Sequence, residues 1–161
     1  MASCDEKLAM CSKLGATATV NYKTHPNFSE QVLELTNGRG VNVIEDPVLG
    51  GDHFNQNLSS LAMDSRWVLY GSMGGIKVKE ANMAKLLMKR SSILTSTLRN
   101  RNDHYKSDLV WRFKNETASL FKEGKLKPVV DKVFGLSEVA EAHRYLESNK
   151  NVGKVVLRYD L

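Results

Sequence analysis

The chain has 161 residues, 42% hydrophobic and 25% charged, the balance of one globular domain rather than a disordered or fibrous chain. Its net charge of +5 admits anionic ligands such as a nucleotide phosphate, but the basic residues are spread along the chain, which argues against nucleic acid as a partner. No apolar run reaches the roughly 20 residues of a membrane span, and Cys4 and Cys11 form no CxxC or Cys/His metal spacing.

Residues 5–14 read as a helix with Leu8, Cys11 and Leu14 on one stripe and Gly15 as its stop. Ala16 to Asn21 reads as a short strand. Asn27 is placed to cap the next helix, with Glu30 at capping-box spacing and Phe28, Val32 and Leu35 on one face; Asn37-Gly38 ends it. The β-branched run Val41 to Asp46 predicts a strand, and Gly50-Gly51 a tight turn.

Phe54, Leu58 and Leu61 recur at i, i+4, i+7 and predict a helix over about 52–62. Arg66 to Tyr70 predicts a strand, with Trp67 and Tyr70 as core residues, and runs into Gly71-Ser72-Met73-Gly74-Gly75. A basic amphipathic helix over 81–90 and a strand from Ser92 to Thr97 follow. His104 to Glu123 is the longest predicted helix, with Leu109, Phe113, Leu120 and Phe121 at helical spacing. An extended segment from Pro128 through Phe134, a helix over 138–148 capped by Ser137 with His143 packed in it, and a strand from Val152 to Tyr159 complete the chain.

Strands alternating with helices imply βαβ units, hence an α/β fold with a doubly wound, Rossmann-like parallel sheet. Ligands in such sheets bind at the carboxyl ends of the strands. Three segments there are glycine-rich or polar: Ser3 to Lys7, Asp46 to Gly51, and Gly71 to Gly75. The G-x-G-x-x-G fingerprint of a first strand is absent, so the sheet is expected to be incomplete, lacking its first βα unit. Asp46 at a strand end invites reading as a general base, but a turn-capping role fits an Asp there better. His25, His53, His104 and His143 fall on separate elements without ligand spacing, so no metal site is expected.

Several segments in order resemble the zeta-crystallin-like quinone oxidoreductases of the medium-chain dehydrogenase/reductase superfamily, most of all the p53-inducible type. They are Lys7 to Tyr22 with Lys13-Leu14-Gly15-Ala16 inside it, Gly40-Val41-Asn42, Arg66 to Gly71, Met73-Gly74-Gly75, Leu86 to Arg90, Ala142-His143 and Asn149 to Leu157. The resemblance covers essentially the whole chain and implies the C-terminal part of a longer protein, without the GroES-like catalytic domain that opens family members. It implies a partial dinucleotide-binding domain over 1–127 and a return segment over 128–161 that packs on that catalytic domain.

The resemblance also assigns roles. Lys7 and Tyr22 match the pair that holds the 2′-phosphate of NADPH, and a cation with a hydroxyl donor suits a phosphate. Ala2 stands where NAD-using relatives carry an acid. Ser3 and Cys4 lie beside the same phosphate, Pro47 and Val48 run along the cofactor, Gly71, Met73 and Gly74 border the nicotinamide half, and Asn151 makes a late cofactor contact. No residue of the chain is expected to be catalytic in itself, because hydride passes directly from NADPH to a quinone whose pocket lies mostly outside the chain.

The implied activity is zinc-independent NADPH:quinone reduction, with this chain alone expected to be inactive. The alternative is a truncated, non-catalytic isoform that dimerises with or modulates a full-length relative, or binds RNA weakly through Arg99, Arg101 and Lys106. A homodimer through the edge strand 92–97 is implied. Reduced thiols, and an N-terminus without the basic-then-apolar order of a secretion signal, point to the cytoplasm.

Overall fold

The computed structural model describes residues 1–159, and the chain divides into two units, Met1–Arg101 and Asn102 onward. In the first unit β1 (Val41–Asp46), β2 (Leu61–Leu69) and β3 (Ser92–Thr95) form a parallel sheet in that order. Parallel neighbours need a crossover, supplied by α3 (Asp52–Ser60) between β1 and β2 and by α4 (Met83–Met88) between β2 and β3. Ile44 pairs with Trp67 and Trp67 with Ile93; Asp46 pairs with Leu69 and Leu69 with Thr95. The three strands therefore end level at their carboxyl side, which is what assembles the site.

The predicted apolar stripe of α3 builds the core. Phe54, Leu58, Leu61 and Trp67 are buried together, with Ile44, Leu69, Leu86 and Ile93 packed against them. Phe54 and Trp67 lie 4.6 Å apart between ring centroids. Leu61 is the first residue of β2 rather than the last of the helix, so helix and strand join without a loop. That junction presses on the start of β1: a Cβ on Gly40, at φ +81°, would lie 2.5 Å from the Ser60 carbonyl oxygen, so only glycine fits.

α1 (Asp5–Lys13) buries Leu8 but leaves Leu14 exposed beyond its end. α2 (Phe28–Leu35) packs on α3, with the Phe28 and His53 rings 5.0 Å apart. The capping box expected from Asn27 does not form. Gln56 Oε1 on α3 accepts the Ser29 amide at 2.9 Å instead, so a tertiary neighbour does the work of a local cap. Leu35, the last residue of α2, is exposed, while Phe28 and Ser29 at its start are buried.

Ala16 to Asn21 is not a strand. Only Asn21 pairs, in a single parallel bridge to Ala2, and a lone rung makes no ladder. Tyr70, expected in the core, is exposed one residue past β2, where the chain leaves the sheet.

The second unit holds α5 (Asp103–Lys122), β4 (Val130–Gly135), a 3₁₀ turn (Leu136–Glu138), α6 (Val139–Glu147) and β5 (Lys154–Arg158). β4 and β5 pair in parallel, connected through α6, with Phe134 and Ala142 buried. Asn102 caps α5 by accepting the Tyr105 amide at 2.9 Å. No residue of α5 is buried, so its apolar repeat records helix periodicity without a covered face. Ser137 does not cap α6; it lies inside the 3₁₀ turn, where Glu138 accepts the Gly135 amide at 2.8 Å. His143 is exposed on α6, not packed.

Candidate functional site

Beyond the level strand ends, the chain leaves β1 through Pro47–Gly51 and β2 through Tyr70–Gly75. These loops lock together by backbone bonds: Met73 N–H donates to the Pro47 carbonyl at 3.0 Å and Gly74 N–H to the Val48 carbonyl at 2.9 Å. The glycines are steric requirements. A Cβ on Gly71 would lie 2.6 Å from the Pro47 carbonyl oxygen, and one on Gly74 would lie 2.6 Å from Val48 Cγ1. Pro47, Val48, Gly71, Met73 and Gly74 are thus brought into one structure, as their positions after consecutive parallel strands require.

Asp46, 1% exposed, holds the first loop. Its Oδ1 accepts the Val48 amide at 2.7 Å and the Leu49 amide at 3.1 Å, the turn-capping role expected of it. Its Oδ2 accepts Asn57 Nδ2 at 2.9 Å and Trp67 Nε1 at 3.1 Å. Asn57 and His53 were not legible as partners of Asp46. One signal was available: Asn57 falls on the buried face of α3 with Phe54 and Leu58, and a polar residue there demands a buried partner.

His53 Nε2 lies 3.6 Å from Asp46 Oδ1. Burial pushes the His53 imidazole below its ordinary value of 6.5 more strongly than the Asp46 and Asp52 carboxylates pull it up. The folded chain then binds fewer protons at His53 than the unfolded chain. Its contribution to stability is complete above pH 6.5 and is lost as pH falls through the lower folded value. Urea unfolding between about pH 8 and pH 5 should show this acid loss, and His53→Gln should flatten it; an equally steep profile in the variant would contradict the assignment.

A second locus forms around the Ala2–Asn21 bridge. Ala2 N–H donates to the Val20 carbonyl at 3.1 Å and Tyr22 N–H to the Ala2 carbonyl at 3.2 Å. Asn21 Nδ2 donates to Asp5 Oδ1 at 2.8 Å. These bonds bring Tyr22 beside Ser3, Cys4 and the start of α1, whose first turn carries Lys7. Cys4 is the N-cap residue, and its side chain makes no capping hydrogen bond. This first turn carries the Lys7 cation together with the carboxylates of Asp5 and Glu6, and Tyr22 is 42% exposed. Asn151 belongs to the second unit, where its side-chain amide donates to the Gly153 carbonyl at 2.8 Å.

A cavity of about 830 Å³ opens at the start of α3, lined by Gly51, Asp52, Asn55 and the segment Ile76 to Glu80. Asn55 Nδ2 donates to the Glu80 carbonyl at 2.6 Å and pins that segment to α3. Among the described residues no three His, Cys, Asp or Glu side chains converge as metal ligands would, and no helix is long and apolar enough to cross a membrane.

Comparison with known proteins places this geometry. Residues 14–157 match the family model described as zinc-binding dehydrogenase. The chain is 38% identical over 158 residues to a quinone oxidoreductase-like protein 2 homolog of Nematostella vectensis, covering 97% of this chain and 42% of that protein. It is 32% identical to a 2-haloacrylate reductase of a Burkholderia species, over 96% of this chain and 46% of the reductase. A solved NAD-dependent alcohol dehydrogenase superposes with a TM-score of 0.73 at 32% identity, over 97% of this chain and 42% of that structure. The chain spans less than half the length of these relatives.

Proposed function

The chain belongs to the zinc-binding dehydrogenase family, within the medium-chain dehydrogenases/reductases, and on that premise we propose that it supplies the cofactor side of an oxidoreductase passing hydride from NADPH to a quinone. The observation that carries the reading is the pair of interlocked loops at the level carboxyl ends of β1 and β2, where open parallel sheets bind their ligands. Lys7 at the start of α1 and Tyr22 offer a cation and a hydroxyl suited to the charged end of such a cofactor.

In this reading Lys7 and Tyr22 take the 2′-phosphate, with Ser3 and Cys4 beside it. No carboxylate stands at Ala2 to repel that phosphate. Pro47 and Val48 run along the cofactor, while Gly71, Met73 and Gly74 border the nicotinamide. NADPH supplies the hydride when bound; the chain's own task is to bind and orient it. A quinone and a haloacrylate share a carbon–carbon double bond conjugated to a carbonyl, so one hydride-accepting chemistry covers both named relatives. Calorimetric titration of the chain with NADPH and with NADH tests the reading. Saturable binding that prefers NADPH is expected, and no binding of either would overturn it.

Homodimerisation through β3 belongs to the same proposal. β3 is an edge of the three-stranded sheet, and Leu94 on it is 47% exposed. An apolar edge strand favours pairing with another chain. Thr95→Pro, which removes an outward-facing N–H of this edge, should give monomers in light scattering with the circular dichroism spectrum retained; an unchanged dimer would refute this interface.

A further inference from the structure

A turn after β1 needs only one acceptor oxygen, and asparagine or serine at position 46 would satisfy it. Asp46 has more: four N–H groups from three parts of the fold converge on its two oxygens. The Val48 and Leu49 amides of the loop meet Oδ1, while Asn57 of α3 and Trp67 of β2 meet Oδ2. An ionised carboxylate accepts on both oxygens, whereas an asparagine must turn its NH₂ toward two of these donors.

The second oxygen therefore ties the turn to the buried core. From there the position passes outward, because the Pro47 and Val48 carbonyls in turn receive the Met73 and Gly74 amides. The geometry points to Asp46 as a positioning residue that sets both loops of the cofactor site as one body, with Asn57 and Trp67 as the residues that hold it. This deepens the cofactor reading above and rests on it for the identity of the ligand.

The test compares the full chain with Asp46→Asn by amide hydrogen exchange and by ligand titration. The variant should exchange the Val48, Leu49, Met73 and Gly74 amides at least about 10-fold faster, since buried donors lose their acceptor. The Thr36 amide at the end of α2, bonded to the Val32 carbonyl at 3.1 Å, should be unaffected. Adding Asn57→Asp returns an acceptor to the cluster and should slow Met73 and Gly74 again. Unchanged exchange at Met73 and Gly74, or acceleration spread evenly through the first unit, would overturn the inference. Should Asp46→Asn not fold, Trp67→Phe removes one donor, keeps an aromatic ring, and should raise exchange at the same four amides by a smaller factor.

For ligands, Asp46→Asn should weaken NADPH and NADH alike by about 10-fold while leaving 2′,5′-ADP, the adenosine end alone, unchanged. Equal loss of 2′,5′-ADP, or no loss of NADPH, would also overturn it. A wild-type chain that binds none of the three ligands would sink the cofactor reading instead; the exchange result then decides the coupling of the loops by itself.

Discussion

Trp67→Ala is expected to destabilise the first unit by about 3–5 kcal/mol, the cost of emptying a fully buried indole site. Trp67 is 0% exposed and sits at the centre of the sheet, paired with Ile44 on one side and Ile93 on the other. Its ring packs on Phe54, so truncation opens a cavity between sheet and α3 that backbone on both sides keeps from collapsing. The loss of Nε1 adds the removal of one donor from the Asp46 carboxylate. Against a domain stability of about 5–15 kcal/mol, such a loss moves the chain close to its unfolding threshold. Urea unfolding followed by circular dichroism measures it. A change below about 1 kcal/mol would mean that the Phe54–Trp67 contact is not the core of this unit.

Lys7→Ala should weaken NADPH by about 10- to 150-fold and leave NADH nearly untouched, because only the former carries the 2′-phosphate. The range corresponds to the loss of a charged hydrogen bond of about 1.5–3 kcal/mol. Lys7 is half-buried in the first turn of α1, where the helix N-terminus already favours an anion. The Ala2–Asn21 bridge, with the Tyr22 amide donating to the Ala2 carbonyl at 3.2 Å, brings the Tyr22 backbone to the segment that leads into that turn. Calorimetry with both cofactors reads the split. An equal loss for NADPH and NADH would place Lys7 outside the phosphate site.

Much of the first unit is written in local sequence. The Val41 to Asp46 run, the Phe54–Leu58–Leu61 stripe and the glycines after β1 and β2 determine strand, helix and loop through side-chain shape and period alone. Asp46 as a turn residue and Trp67 as a core residue follow from position and type. The succession of segments from Lys7 to Leu157 carries the family resemblance, which depends on order along the chain and needs no fold.

What tertiary structure alone decided involves partners far apart in sequence. Ala16 to Asn21 has strand composition but stays a single bridge, because a strand exists only where another segment offers its ladder. Asn27 has cap chemistry, yet Gln56 serves the helix, because a residue 27 positions from Ser29 arrives first in space. The convergence of Asn57, Trp67, His53 and the Val48 and Leu49 amides on Asp46 follows the same logic. Propensity and period act over a few residues and can be read in the sequence. Hydrogen bonding and burial of polar groups are settled by which groups meet once the sheet has formed, and a buried carboxylate draws its donors from every element around it.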